Sequence, residues 1–101
     1  MISIYVTCGT ESEAQDIGRD LVKKKLVACA NYFPIKSIFE WKGTIEAGDE
    51  FVLLLKTVDE KYDRVVLEVK KMHSYEIPCI IKYNVDADLD YENWVKSQVT
   101  G

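Results

Sequence analysis

Apolar and polar positions alternate over residues 2–7, with Ile2, Ile4 and Val6 on one face, which predicts a first strand. Thr10-Glu11-Ser12-Glu13 has the spacing of a capping box. Ala14, Ile17, Leu21 and Val22 then recur at helical intervals. Lys23-Lys24-Lys25 closes that helix, where positive charge complements the negative end of the helix dipole. Residues 26–41 form a long extended stretch rich in apolar and aromatic side chains. Pro34 cannot donate to a ladder, so a bulge or an edge is expected near it. Lys42-Gly43 and Gly48-Asp49 carry turn chemistry. The continuous run Phe51-Val52-Leu53-Leu54-Leu55 suits a central strand covered on both faces. One layer of helices covers only one face, so the simplest second cover is another subunit. Thr57-Val58-Asp59-Glu60 is a second capping-box candidate, and Tyr62, Val65, Val66 and Val69 form the stripe of a second helix ending at Lys70-Lys71. Cys79, Ile81, Tyr83 and Val85 alternate as a fourth strand, opened by Pro78. Asp88 is placed to cap a short last helix carrying Tyr91, Trp94 and Val95.

The order β-α-β-β-α-β plus a short C-terminal helix is that of a ferredoxin-like α+β sandwich, one domain over residues 1–101. Right-handed crossovers put both main helices on one face of a four-stranded antiparallel sheet. The other face is expected to carry Tyr32, Phe39 and Trp41. An apolar open face and an over-long second strand both predict self-association.

Composition narrows the function classes. The 101 residues are nearly half apolar, and the net charge is -4. An acidic chain lacks the basic face that phosphate backbones require, which argues against nucleic-acid binding. No apolar run approaches the ~18 residues of a membrane span. The N-terminus reads as a strand and not as a signal peptide, so a cytoplasmic protein is expected. Cys8, Cys29 and Cys79 are odd in number and lack a C-x-x-C pair, which disfavours a disulfide framework and a zinc cage. His73 is the single histidine and sits between the second helix and the fourth strand. Its side chain is the only one with an ordinary pKa between about 5 and 8.

Four segments in order resemble the CutA family, the divalent-cation tolerance proteins. They are Leu26-Val27-Ala28-Cys29-Ala30-Asn31, Trp41-Lys42-Gly43-Thr44-Ile45, Leu54-Leu55-Lys56-Thr57 and His73-Ser74-Tyr75-Glu76-Ile77-Pro78. The resemblance runs from Ile2 to about Trp94. It implies a homotrimer whose subunits extend one another's sheets, as in PII signalling proteins, and an association with copper and other divalent cations. It also implies site residues in clefts between subunits: Cys29, Trp41, Glu50, Lys56, His73 and Tyr75. Family members often carry His-Pro-Tyr where this chain has His73-Ser74-Tyr75, and some have adjacent histidines where this chain has Met72-His73. A histidine-pair copper site therefore does not transfer. Cys8 lies near the position of a strand-one cysteine that ligates metal in some members, without matching it, and that role is not carried over.

Each residue also has a plainer role. His73 suits a helix C-terminus. Cys29 suits a buried inert thiol. Lys56 suits a snorkelling strand end, or a pair with Glu50 or Glu76 across a cleft. Trp41 and Tyr75 suit packing. Asp86, Asp88, Asp90 and Glu92 lack the glycine and spacing of an EF-hand loop and suit capping. The leading reading is a metal-binding trimer, with His73 and Cys29 as metal ligands. The alternative is a PII-like scaffold taking a small anion or a protein partner in its clefts. An acylphosphatase-like hydrolase is disfavoured, because Arg19 and Arg64 fall within predicted helices and not in a phosphate-binding loop.

Overall fold

Strand β1 (Ile2–Cys8) lies inside the sheet, with β3 (Thr44–Thr57) on one side and β4 (Ile80–Asn84) on the other. β2 (Cys29–Trp41) pairs with the outer edge of β3, giving the antiparallel order β2-β3-β1-β4. Helices α1 (Glu11–Lys23) and α2 (Tyr62–Met72) cover one face, and α3 (Leu89–Val99) closes one end. This computed structural model describes residues 1–100. Gly101, the last residue of the expected domain, lies outside the described residues.

The alternation of β1 sets the core. Ile2, Ile4, Val6 and Cys8 are buried and pack with Ala14, Ile17 and Leu21 of α1 and Val65 and Val69 of α2. The pairing register adds Leu53 and Leu55 to the same layer. Gly18 lets α1 sit close to the sheet, since a Cβ there would come within 3.1 Å of Ala30 and 3.2 Å of Leu53. Val95 and Val99 of α3 pack with Ala28, Val58 and Met1 at the end where β1 begins. Asp88 caps α3 as expected, accepting from the amides of Asp90 and Tyr91 at 3.1 and 3.3 Å.

Three expectations need correction. Gly48-Asp49 does not turn the chain. β3 runs straight through it, with Gly48 opposite Ser37, because Lys42-Gly43 already makes the hairpin. Both turn residues have positive φ, +51° and +83°, which matches the right-handed twist of the flanking strands. Thirteen paired residues at ~3.4 Å each span about 44 Å, and this hairpin accounts for the 45 Å long axis of the molecule. Its outer half leaves Ile38 and Ile45 exposed. Of the two alternatives expected at Pro34, the edge holds: it pairs with Phe51 in unbroken register on the edge strand.

The second capping box does not form. Thr57 is buried at the end of β3, and its hydroxyl donates to the Leu26 carbonyl at 2.7 Å. That carbonyl follows a left-handed turn at Lys25 (φ +58°), where α1 ends. Residues Asp59–Lys61 form a 3-10 turn with no side-chain cap, and Asp59 instead pairs with Lys82 at 2.8 Å.

Tyr32 lies on the helix side of the sheet, opposite Leu53, and its hydroxyl accepts from Gln15 at 2.9 Å. The open face carries Phe33, Phe39 and Trp41, as the unbroken register of β2 requires. β4 keeps the expected alternation, with Ile81 and Tyr83 on one face. Ile80 opposes Val6 and joins the core, while Ile81 and Tyr83 oppose Tyr5 and Ser3 on the open face. That face therefore leaves Phe33, Ile81 and Tyr83 more than two-fifths exposed.

Thr57→Val keeps the side-chain shape and removes the donor to Leu26. Leaving that buried carbonyl unpaired should cost about 1–3 kcal/mol in urea unfolding. A loss within experimental error would show that water reaches the carbonyl.

Candidate functional site

Three elements meet at the end of β1 opposite α3. β1 delivers Cys8 at its last position, with its side chain on the core face. The first turn of α1 delivers Glu13. α2 delivers His73 as its C-cap, the His73 amide donating to the Val69 carbonyl at 2.9 Å. One ligating atom from each of Cys8, Glu13 and His73 lies within 4.8 Å of the other two.

The first capping box forms, but only half in the expected way. Thr10 accepts from the Glu13 amide at 3.1 Å. Glu13 does not return a bond to Thr10. Its carboxylate accepts from the Gly9 amide at 2.9 Å and from the Ser74 amide at 2.8 Å. One side chain thus ties the start of α1 to the segment after α2. Partial burial opposes ionisation of Glu13, yet the bonds from Ser74 and Gly9, with His73 beside them, outweigh it. The carboxyl is held below its ordinary range.

His73 is bonded at both ring nitrogens. Nε2 lies 2.7 Å from the Thr7 carbonyl, and Nδ1 accepts the Tyr75 amide at 3.0 Å. A carbonyl only accepts, so Nε2 carries the ring proton and Nδ1 the lone pair. The Tyr75 hydroxyl then donates to Glu50 at 2.7 Å. Glu50 is only 8% exposed. Burial, with the Glu50 carboxylate second, pushes the Tyr75 hydroxyl above its ordinary value, so it stays a donor. The ring packs over Gly9, where an added Cβ would sit 3.3 Å from it. Burial, reinforced by Glu13 and Glu50, pushes the Cys8 thiol up to about 12. Beyond Tyr75, a cleft of about 780 Å³ opens between residues 74–79 and the hairpin, lined by Phe39, Trp41, Glu46, Glu50, Tyr75 and Glu76 among others.

His73, Tyr75, Glu50 and Trp41 therefore share one end of the molecule. Cys29 and Lys56 do not join them. They oppose each other in register at the other end, beside Ser3, and both contact Asn31. The five steps along β1 from Ser3 to Cys8 alone span roughly 17 Å, so Cys29 and His73 cannot hold one ion within a subunit. Within one subunit Lys56 contacts Asn31, and the Glu76 carboxylate lies 3.7 Å from Lys42. The sequence reading missed Cys8 and Glu13 as partners of His73. Cys8 carried a usable signal, since it continues the inward alternation of Ile2, Ile4 and Val6. Glu13 carried a misleading one, because its spacing announced a cap.

Residues 2–98 match the family model described as CutA1 divalent ion tolerance protein. The chain is 45% identical over 97 residues to the divalent-cation tolerance protein CutA of Archaeoglobus fulgidus, covering 95% of each. A solved structure described as the periplasmic divalent cation tolerance protein CutA from that organism superposes with a TM-score of 0.95 at 44% identity, covering 99% of this chain and 100% of the other. The PII-like protein CutA from Nostoc superposes at 0.92 with 27% identity, covering 99% and 98%. The expectation of a cytoplasmic protein is thereby corrected, since a relative this similar is described as periplasmic. An acidic composition suits either compartment. That no described helix is long and apolar enough to cross a membrane likewise does not separate them.

A carboxylate held below its ordinary pKa stabilises the fold above the unfolded value of about 4.3, and this contribution is lost as pH falls through the folded value. Glu13→Gln should therefore be less stable than the parent at pH 7, with the gap closing below about pH 4. Urea midpoints at pH 7 and pH 3 check this; an equal gap at both would rule out the charge as its source.

Proposed function

We propose, since the chain belongs to the CutA1 divalent ion tolerance family, that it binds a divalent cation directly through Cys8, Glu13 and His73. The observation that carries this reading is the convergence of a thiol, a carboxylate and an imidazole within 4.8 Å. The donor set fits the ion. In a tetrahedral site, ligands at about 2.0 Å for nitrogen and 2.3 Å for sulfur lie about 3.5 Å apart, so the three side chains would close on the ion by roughly 1 Å. A set of nitrogen, sulfur and oxygen favours copper, which tops the affinity order for such sites, and also accepts zinc. The neutral thiol is no obstacle, because a coordinating thiol is deprotonated by the ion. Cys8 takes the place here that the sequence reading assigned to Cys29.

The same site does not favour nucleophilic catalysis by the thiol. A thiol pushed up to about 12 supplies no thiolate nucleophile without a metal. A small anion in the neighbouring cleft is also disfavoured, because Glu46, Asp49, Glu50 and Glu76 line it and Lys56 lies elsewhere.

The quaternary reading is a homotrimer joined through the sheets. It is supported by the apolar open face, the long edge strand β2 and the overhanging hairpin. Cys29, Lys56 and Trp41 would then meet neighbouring subunits.

Zinc titration by calorimetry tests the metal site. His73→Ala and Cys8→Ser should each weaken binding by more than about tenfold, while Cys29→Ser should leave it unchanged. Binding indifferent to His73 and Cys8 would end the reading. For the trimer, light scattering should give three times 11.6 kDa, and the melting temperature should fall on dilution. A monomeric mass with a concentration-independent melting temperature would refute it.

A further inference from the structure

We infer that a metal ion and the Tyr75 backbone amide compete for His73, so that filling the site detaches the Tyr75 amide from the ring and loosens the Tyr75 hydroxyl from Glu50, while Ser74 stays bonded to Glu13. The inference rests on the metal reading above and concerns what the ion must displace.

An imidazole nitrogen has one in-plane position, occupied by either a proton or a lone pair. In this structure both positions of His73 are in use, Nε2–H toward Thr7 and the Nδ1 lone pair toward the Tyr75 amide. An ion can approach by two routes. Ligation at Nδ1 takes the lone pair that the Tyr75 amide occupies. Ligation at Nε2 requires its proton to leave, and in a neutral ring that proton moves to Nδ1. The Nδ1–H would then face the Tyr75 N–H, donor against donor. Both routes expel the Tyr75 amide. Glu13 imposes no such exclusion, because a carboxylate has about four lone-pair sites for its two amide bonds.

The consequence reaches the cleft. Tyr75 is tied to the body of the protein at two polar points, its amide on His73 and its hydroxyl on Glu50. Losing the first frees the backbone that positions the second. Tyr75, Glu50 and Glu76 all line the cleft, so an ion at Cys8, Glu13 and His73 changes the cleft wall and leaves the half-buried end of the hairpin with an unmasked carboxylate at Glu50. The two states exclude each other, and the coupling is reciprocal: what loosens the latch must tighten the metal.

Zinc is a suitable probe because it accepts sulfur, nitrogen and oxygen ligands and undergoes no redox change. Amide hydrogen exchange is followed by NMR on the full chain, with and without saturating zinc. The Tyr75 amide should exchange at least tenfold faster with zinc, while the His73 amide, bonded to Val69 inside the last turn of α2, should not change. Independently, Tyr75→Phe removes the hydroxyl bond to Glu50 and should tighten zinc roughly fivefold, the factor of one hydrogen bond's net contribution. Zinc binding that depends on His73, with the Tyr75 amide still protected and Tyr75→Phe binding no tighter, would overturn the inference and leave the metal site standing. Absence of zinc binding, or binding unaffected by His73→Ala, would overturn the metal reading and this inference with it.

Discussion

Everything in this molecule is referenced to seven residues of β1. Strands pair with it on both sides, and its inward side chains are the floor on which both main helices rest. Burying four such apolar side chains contributes several kcal/mol at ~25 cal/mol per Å². A one-residue slip would turn all of them outward. Because its register is held so firmly, the end of the strand is a fixed point. Cys8 and the Thr7 carbonyl sit there, and the rest of the site is built against them.

The site is also self-satisfied. Each polar group that could meet an ion already has a partner from the chain, or is kept neutral. Glu13 accepts two amides, His73 uses both nitrogens, and Cys8 holds its proton. Buried polar groups without partners are costly, and here the backbone of residues 74 and 75 supplies the bonds. This gives the arrangement two roles at once. It staples the segment after α2 to β1 and, on the proposed reading, holds three ligands in reserve behind bonds of modest net worth.

Local patterns were legible where a local rule decides the outcome. The alternation in β1, the Thr10 and Asp88 caps, the Lys42-Gly43 turn and the stripe Tyr62-Val65-Val69 all follow from contacts within a few residues. Errors arose where a distant partner claimed a residue. Thr57 resembles a cap, but the Leu26 carbonyl takes its hydroxyl. Gly48 resembles a turn, but the register set five residues earlier carries the strand past it. Tyr32 resembles an open-face aromatic, yet its phase along β2 places it under α1. β4 carries large side chains on both faces, so its alternation alone does not say which face meets the helices.

The sequence by itself determined the order of elements, the α+β class, the family and the importance of the segment around His73. The elements and the class follow because periodicity, capping and turn chemistry are short-range; the family follows from the resemblance of four ordered motifs. Which groups His73 would meet was decided only by tertiary structure. Cys8 and Glu13 are 65 and 60 residues away along the chain, and Cys29, the more obvious thiol, is carried to the far end of the sheet by the pairing of β2 with β3. Chain separation carries no information about distance across a sheet. The register of β1, β2 and β3 does, and it brought together the thiol that the sequence had set aside.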